Sequence, residues 1–220
     1  MIKVDLHIHT FYSSDANTTF EELTTRCLEI GLNAIAIADH GTIEGALEYQ
    51  KTEPPVKVIV SEEILTPHGE IMGMFLKETI PSGSSAEDTV KAIRVQDGLV
   101  CIPHPFDPVR GSALDSRILR QLAEAHKVDI LEVVNARYVF QSSIRQARKF
   151  AESKGLAQSA GSDAHSVGEI GSVYLEMADF KNKTQFLEAL RKARIHGRNR
   201  SPLVHVSSIA RKIKKDIRGR

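Results

Sequence analysis

The chain has only two cysteines in 220 residues, too few for a disulfide framework. Cys27 falls in a helical pattern and Cys101 in an apolar strand pattern, so both read as reduced core thiols of a cytoplasmic enzyme. No apolar run approaches the roughly 20 residues of a membrane span. Near the start, charged Lys3 and Asp5 are followed by histidines, which is unlike a signal peptide. The sequence also lacks a glycine-rich phosphate loop, an internal repeat and low-complexity segments. No nucleophile–histidine–acid triad is apparent, so no Ser or Cys nucleophile is called for. Net charge is slight, at +1, but unevenly spread: residues 191–220 hold eleven Lys and Arg against one acid, Asp216. The remainder holds 18 basic and 27 acidic residues, as expected of a body that encloses a carboxylate-rich site.

What is present is a set of polar strand ends. With 41% hydrophobic side chains, the chain can bury one core, and one domain is the expectation. Asp5-Leu-His-Ile-His-Thr ends the first apolar stretch. His7 and His9 are two apart, so on an extended backbone both project from one face with Asp5 beside them. Two imidazoles aimed into one space suit a divalent transition metal. Similar endings follow. Residues 33–39 run into Asp39-His40-Gly41, and 56–60 into Ser61-Glu62-Glu63. Residues 98–102 run into Pro103-His104-Pro105, 129–134 into Asn135, and 156–160 into Gly161-Ser162-Asp163-Ala164-His165. Residues 71–76 follow the turn at 66–70 so closely that a hairpin with the preceding strand is expected.

Helical segments separate most of these strands. Thr18 and Thr19 each have a Glu three residues on, Glu21 and Glu22, in a capping-box pattern that Gly31 can close. Ser85 with Asp88 opens a second helix ending near Asp97. Residues 114–126, 142–154 and 184–196 have helical length and spacing, with Gly155 and Gly197 after the last two. Alternating strands and helices argue for a largely parallel α/β domain. The length is short for eight strands, so the expected fold is a distorted TIM-like barrel of seven strands with chemistry at its C-terminal rim. A doubly wound open sheet is the alternative.

Together, Asp5-Leu-His-Ile-His-Thr, Ala38-Asp-His-Gly-Thr, Glu63-Ile, His104-Pro and Gly161-Ser-Asp-Ala-His resemble the motif set of the polymerase and histidinol phosphatase (PHP) family, in the family's order. The resemblance spans residues 3 to about 170 and is closest to the small stand-alone phosphoesterases. It implies a distorted seven-stranded barrel with two or three divalent ions (Zn, Mn or Fe) and phosphoester hydrolysis by metal-bound hydroxide. By the same resemblance His7, His9 and Asp163 hold one ion and Glu63 bridges to a second, held by His104. Asp15, His40 and His165 form a third site. Many members carry a histidine where this chain has Glu70, so Glu70 or His68 is the further candidate for the second ion. Asp5 and Asp39 read as carboxylates that orient ligands, and His7, His9, Glu63 and Asp163 as the catalytic set. Arg110 and Arg137, on loops after ligand-bearing strands, are candidate bidentate phosphate clamps. His126, His196 and His205 read as surface residues.

The implied substrate is a phosphorylated small molecule, with a nucleotide or short oligonucleotide included. Histidinol phosphate is the enzymatic alternative. A non-catalytic barrel subunit of a nucleic-acid-processing complex is the alternative of another class. No membrane partner is expected. The barrel domain is expected over residues 1–205. A basic tail or helix follows at 206–220, where Ile209, Ile213 and Ile217 form an apolar stripe fit for docking. Polyanion contact is the other reading of that tail.

Overall fold

The computed structural model describes residues 1–197, so the expected basic tail at 206–220 lies outside the described residues. Seven strands build the body: β1 (Ile2–Ile8), β2 (Ala34–His40), β3 (Lys57–Thr66), β4 (Gly69–Met74), β5 (Leu99–Ile102), β6 (Ile130–Asn135) and β7 (Ala157–Gly161). They lie side by side in chain order. Neighbours are parallel except at β4, which is antiparallel to both β3 and β5. That reversal is dictated locally. Only Pro67 and His68 separate β3 from β4, and a connection so short cannot return a strand to parallel. The expected hairpin is therefore present.

The sheet closes on itself just beyond β7. Asp163 N donates to His7 O at 2.8 Å and His9 N donates to Ala164 O at 2.9 Å, with a parallel bridge between Ile8 and Ala164. Gly161 makes this approach possible, because a Cβ there would lie 2.4 Å from the Cβ of His7. The other half of the same β1 edge, Ile2–Val4, pairs with an antiparallel strand, β8 (Val173–Met177), which carries β9 (Arg194–Gly197) beyond it. The result is a distorted α/β barrel of seven strands with a two-stranded flange.

Six helices cover the outside: α1 (Phe20–Ile30), α2 (Glu44–Lys51), α3 (Ala86–Val95), α4 (Ser116–Glu124), α5 (Gln141–Lys154) and α6 (Lys183–Leu190). The sequence signals act where expected. Thr19 and Glu22 form the reciprocal capping box of α1, Gly31 closes it at φ 69°, and Ser85 caps α3. Each helix turns an apolar stripe to the sheet, burying Leu23 and Cys27 from α1, Ile93 from α3, Leu119 from α4 and Phe186 from α6. Burial of side chains of this size stabilises by about 1.5–3 kcal/mol each. The single helix expected over 184–196 is corrected: it stops at Leu190, and residues 194–197 form the edge strand β9. β8 and the short helix α2 also escaped the sequence reading.

Candidate metal centre

Side chains from the C-terminal ends of the parallel barrel strands and the loops after them, joined by Glu70 from the start of antiparallel β4, meet in one cluster. β1 delivers His7 and His9, both fully buried, with their Nε2 atoms 3.1 Å apart. Two imidazoles on one tetrahedral ion at about 2.0–2.1 Å leave their nitrogens about 3.3 Å apart, so the pair is set as two ligands would be. Glu63 of β3 lies between two pairs of rings. Its Oε1 is 2.7 Å from His104 Nε2 and 3.4 Å from His7 Nε2, and its Oε2 is 3.2 Å from His40 Nδ1 and 3.5 Å from His9 Nε2. Asp163 Oδ1 sits 3.4 Å from His9 Nε2 and 3.5 Å from His165 Nδ1. Two of these residues hold left-handed backbone, His104 at φ 31° and Asp163 at φ 50°. Such conformations cost about 1–3 kcal/mol and collect at functional sites.

The second half of the cluster is more open. His40 Nε2 is 3.5 Å from Asp15 Oδ1, and His165 Nε2 is 3.4 Å from Asp15 Oδ2, with side chains 31% exposed at His40 and 21% at Asp15. Glu70, at the start of β4, reaches both halves, with Oε1 3.8 Å from His40 Nδ1 and Oε2 3.3 Å from His104 Nε2. Of the two candidates on the hairpin, the Glu70 carboxylate faces the cluster, whereas His68 lies exposed on the turn. Three groupings have ligand atoms mutually close enough for one ion: His7, His9 and Glu63; His9, His40 and His165; and His40, Glu63 and Glu70.

The donor set fits divalent cations. Glu63 Oε2, Glu70 Oε2 and Asp163 Oδ1 are buried oxygens that make no hydrogen bond, each aimed at imidazole nitrogens, and mixed imidazole and carboxylate donors suit Zn, Mn or Fe. Charge is balanced within the cluster. Burial opposes ionisation of Glu63, yet His7, His104 and His40 hold its carboxyl well below the ordinary range. Burial likewise opposes Asp163, and Arg110 and His7 outweigh it. His7 and His40 are raised well above a normal imidazole because Glu132, Glu63 and Asp163 around His7, and Asp15 and Glu63 around His40, overcome their burial. His9 goes the other way, lowered by burial and by the neighbouring His165 and His40. A neutral His9 is the form that ligates.

Several supporting residues were not read from the sequence. Glu132 is the main one. Its Oε1 takes His7 Nδ1 at 3.0 Å, and its Oε2 accepts from His104 N at 2.6 Å and Asn135 Nδ2 at 3.0 Å. A carboxylate behind one ring nitrogen fixes the tautomer and frees the other nitrogen for an ion. The signal was available: a charged residue inside the apolar strand Ile130–Asn135 has to find a partner. A register slip between Glu132 and Val134 lets Glu132 and Asn135 both face the cluster, and Asn135 Nδ2 also reaches Asp163 Oδ2 at 3.1 Å. Asp39 acts through an intermediary. It accepts from Ser13 Oγ at 2.6 Å, and that hydroxyl lies 3.2 Å from His9 Nδ1.

Three further candidates are placed as follows. Asp5 meets His7 through the backbone, its Oδ1 accepting from His7 N at 3.3 Å. Its carboxylate also accepts from Ser162 N at 2.9 Å and Gly171 N at 3.0 Å, and burial pushes its pKa up to about 6. Arg137 is buried, with Nη1 3.0 Å from His165 Nδ1 and 3.4 Å from the Asp163 carbonyl, so it braces the ligand loop. Arg110, its side chain 13% exposed, donates from Nη2 to Asp163 Oδ2 at 2.5 Å. His126 is exposed and outside the cluster. His196 is a partly exposed residue of β9, 3.1 Å from Glu176 Oε2, and His205 lies outside the described residues.

An α/β barrel with a histidine–carboxylate cluster at its C-terminal rim defines the class, and comparison with known proteins gives the family. Residues 5–76 match the model of the PHP domain and residues 141–195 that of the PHP-associated region. The chain belongs to the PHP family. An uncharacterized protein of Methanocaldococcus jannaschii is 38% identical over 147 residues, covering 61% of this chain and 82% of the relative. A probable phosphatase of Caldicellulosiruptor saccharolyticus is 25% identical over 242 residues, covering 90% of this chain and 98% of the relative. Among solved structures, the fold matches a two-domain protein of Bacteroides vulgatus containing a predicted PHP-like metal-dependent phosphoesterase, with TM-score 0.73 and 16% identity over 97% of this chain and 69% of that one. PsfC of Pseudomonas syringae matches with TM-score 0.68 and 17% identity, over 97% and 98%. Among the described residues, no helix is long and apolar enough to cross a membrane.

Proposed function

We propose that this chain is a divalent-metal-dependent phosphoesterase of the cytoplasm acting on small phosphomonoesters, nucleotides among them. The observation that carries the reading is Glu63, whose two oxygens face two separate pairs of imidazoles at 2.7–3.5 Å, the placement required of a carboxylate shared by two cations. His7, His9 and Asp163 would hold one ion with Glu63. His104 and Glu70 would hold a second, and Asp15, His40 and His165 a third. When bound, such ions lower the pKa of a water and neutralise charge on the phosphoryl oxygens.

The protein's own residues supply orientation. Glu132 keeps His7 turned with Nε2 to the cluster. Ser13, fixed by Asp39, does the same for His9. Arg110 sits where a phosphate would enter and can pair with its oxygens while one nitrogen stays on Asp163. Arg137 keeps His165 and the Asp163 carbonyl in register. The test is elemental analysis of protein purified without added metal, with turnover of an aryl phosphate. At least two transition-metal ions per chain and hydrolysis that disappears in His9→Ala are expected. Metal-free protein that still turns over the ester, or metal-loaded protein inert toward every phosphomonoester tried, would overturn the reading.

A further inference from the structure

We propose that the groove between α4 and α5 is a second binding site, for a compound that joins a planar ring to a phosphate group. The groove encloses about 490 Å³ and is lined by Phe106, Arg120, Ser142, Arg145, Lys149 and Phe150 among its walls, with no carboxylate in the lining. Arg145 and Lys149 are one helical turn apart on α5 and exposed. The Arg120 guanidinium lies 5.7 Å from the centre of the Phe150 ring. Outside residues 191–220 the chain has 27 acidic residues against 18 basic ones, so three cations around one groove without an acid run against the charge of the body. Three such donors attract an oxyanion, and the half-buried Phe106 ring beside them offers apolar surface to a planar ring.

The position of Phe106 adds a second, independent observation. Its backbone sits in the left-handed region at φ 62°, which a bulky residue avoids unless held. It is held: Ser143 Oγ donates to Phe106 O at 2.9 Å, and Tyr138 Oη donates to Pro105 O at 2.7 Å. The ring meets Phe150 edge-on at 5.6 Å and forms part of the groove wall. Phe106 is also two residues after His104, so the groove and the metal cluster share one loop. The site therefore extends the proposed phosphoesterase reading and rests on it where turnover is concerned, while ligand binding is measured separately.

The probe is adenosine 5′-monophosphate, titrated calorimetrically into the full chain carrying His7→Ala, so that the metal cluster is impaired and the groove is intact. Binding is expected to persist there and to weaken at least tenfold when Arg145→Glu and Lys149→Glu are added. Ribose 5-phosphate, which lacks the ring, is expected to bind at least fivefold more weakly than the nucleotide. In the wild-type background the same charge reversal should leave kcat/KM for an aryl phosphate within twofold. A fall of fivefold or more for a pentanucleotide would identify the ligand as the far part of a substrate. Unchanged pentanucleotide turnover with lost nucleotide binding would identify a free nucleotide. Arg145→Gln with Lys149→Gln repeats the test without added charge should the reversal fail to fold. Nucleotide affinity indifferent to these changes, or equal affinity for ribose 5-phosphate, would overturn the proposal. Absence of turnover on every ester would sink the phosphoesterase reading and leave the binding result standing.

Discussion

The two halves of the cluster differ in how they are held. His7, His104, Glu63 and Asp163 are fully buried and backed by dedicated partners: Glu132 behind His7, and Asn135 and Arg110 on Asp163. His40 and Asp15 are a fifth to a third exposed. A buried ionic network is stable only while every member keeps its partner, so the deep half is coupled to the stability of the barrel. The open half can gain or lose a ligand at little structural cost. Metal exchange should therefore start at His40 and Asp15, and the deep half should retain its ion longest.

Glu63 joins the halves, and removing its charge should have the largest effect. Glu63→Gln is expected to lower kcat for an aryl phosphate by about 10³-fold, since several kcal/mol of charge neutralisation are lost. It should also lower metal stoichiometry by more than His104→Ala does. Equal stoichiometry in the two variants, by elemental analysis, would show that Glu63 serves one ion only.

The halves are separated most directly by His7→Ala and His40→Ala. The first leaves the Glu132 carboxylate buried without its ring partner and should destabilise the metal-free protein by about 3 kcal/mol in urea. The second removes a half-buried ring whose partners Glu63 and Asp15 still face His104 and His165, and should cost about 1 kcal/mol. Similar losses would erase the distinction between deep and open halves. Glu132→Gln tests the backing of His7 with the shape retained. It should weaken metal affinity by roughly 10–100-fold, as loss of a carboxylate behind a ligating histidine does, in a competition titration against a chelator. An unchanged affinity would make Glu132 a packing residue.

The smallest effect contrasts two neighbours. Glu62 and Glu63 are both buried, but Glu62 points away from the cluster, accepting from Ile80 N at 2.9 Å. Burial pushes the Glu62 pKa up to about 7, whereas the imidazoles hold Glu63 down. Because the folded state keeps the Glu62 proton more tightly than the unfolded state, its contribution to stability is complete below about pH 4.5 and is lost as pH rises through about 7. Glu62→Gln should remove that loss, making the fall in unfolding free energy between pH 5 and pH 8 smaller than in wild type by about 1–2 kcal/mol. Parallel pH curves would show that Glu62 does not titrate in this range.

Much of this was legible in the sequence because it was written at strand ends. His7, His9, His40, Glu63, His104, Asp163 and His165 each follow an apolar run, and a closed barrel brings the ends of its strands to one rim. What escaped notice was less local. The inward turn of Glu132 goes with a register slip in β6, which depends on the neighbouring strand and leaves no mark on the spacing, and the Asp5 carboxylate is taken up by Ser162 and Gly171, far along the chain. β9 is four residues of mixed polarity at a sheet edge. Its pattern continued that of α6, and only pairing with β8 defines it. α2 is eight residues with Gly45 inside and no side-chain cap, so it offers neither a strong period nor a start signal.

The seam where β1 meets the segment after β7 also sets an order of assembly. Asp5 and Ser162, bonded across it, are 157 positions apart in the chain. Contacts of such long separation form late, because loop closure must precede any reward. During synthesis His7 and His9 emerge more than 150 residues before Asp163 and His165 exist to face them. A nascent chain thus holds these two imidazoles on a strand edge not yet joined to the segment after β7. The full cluster appears only at the final closure, so that any selection among ions is expected of the folded barrel alone.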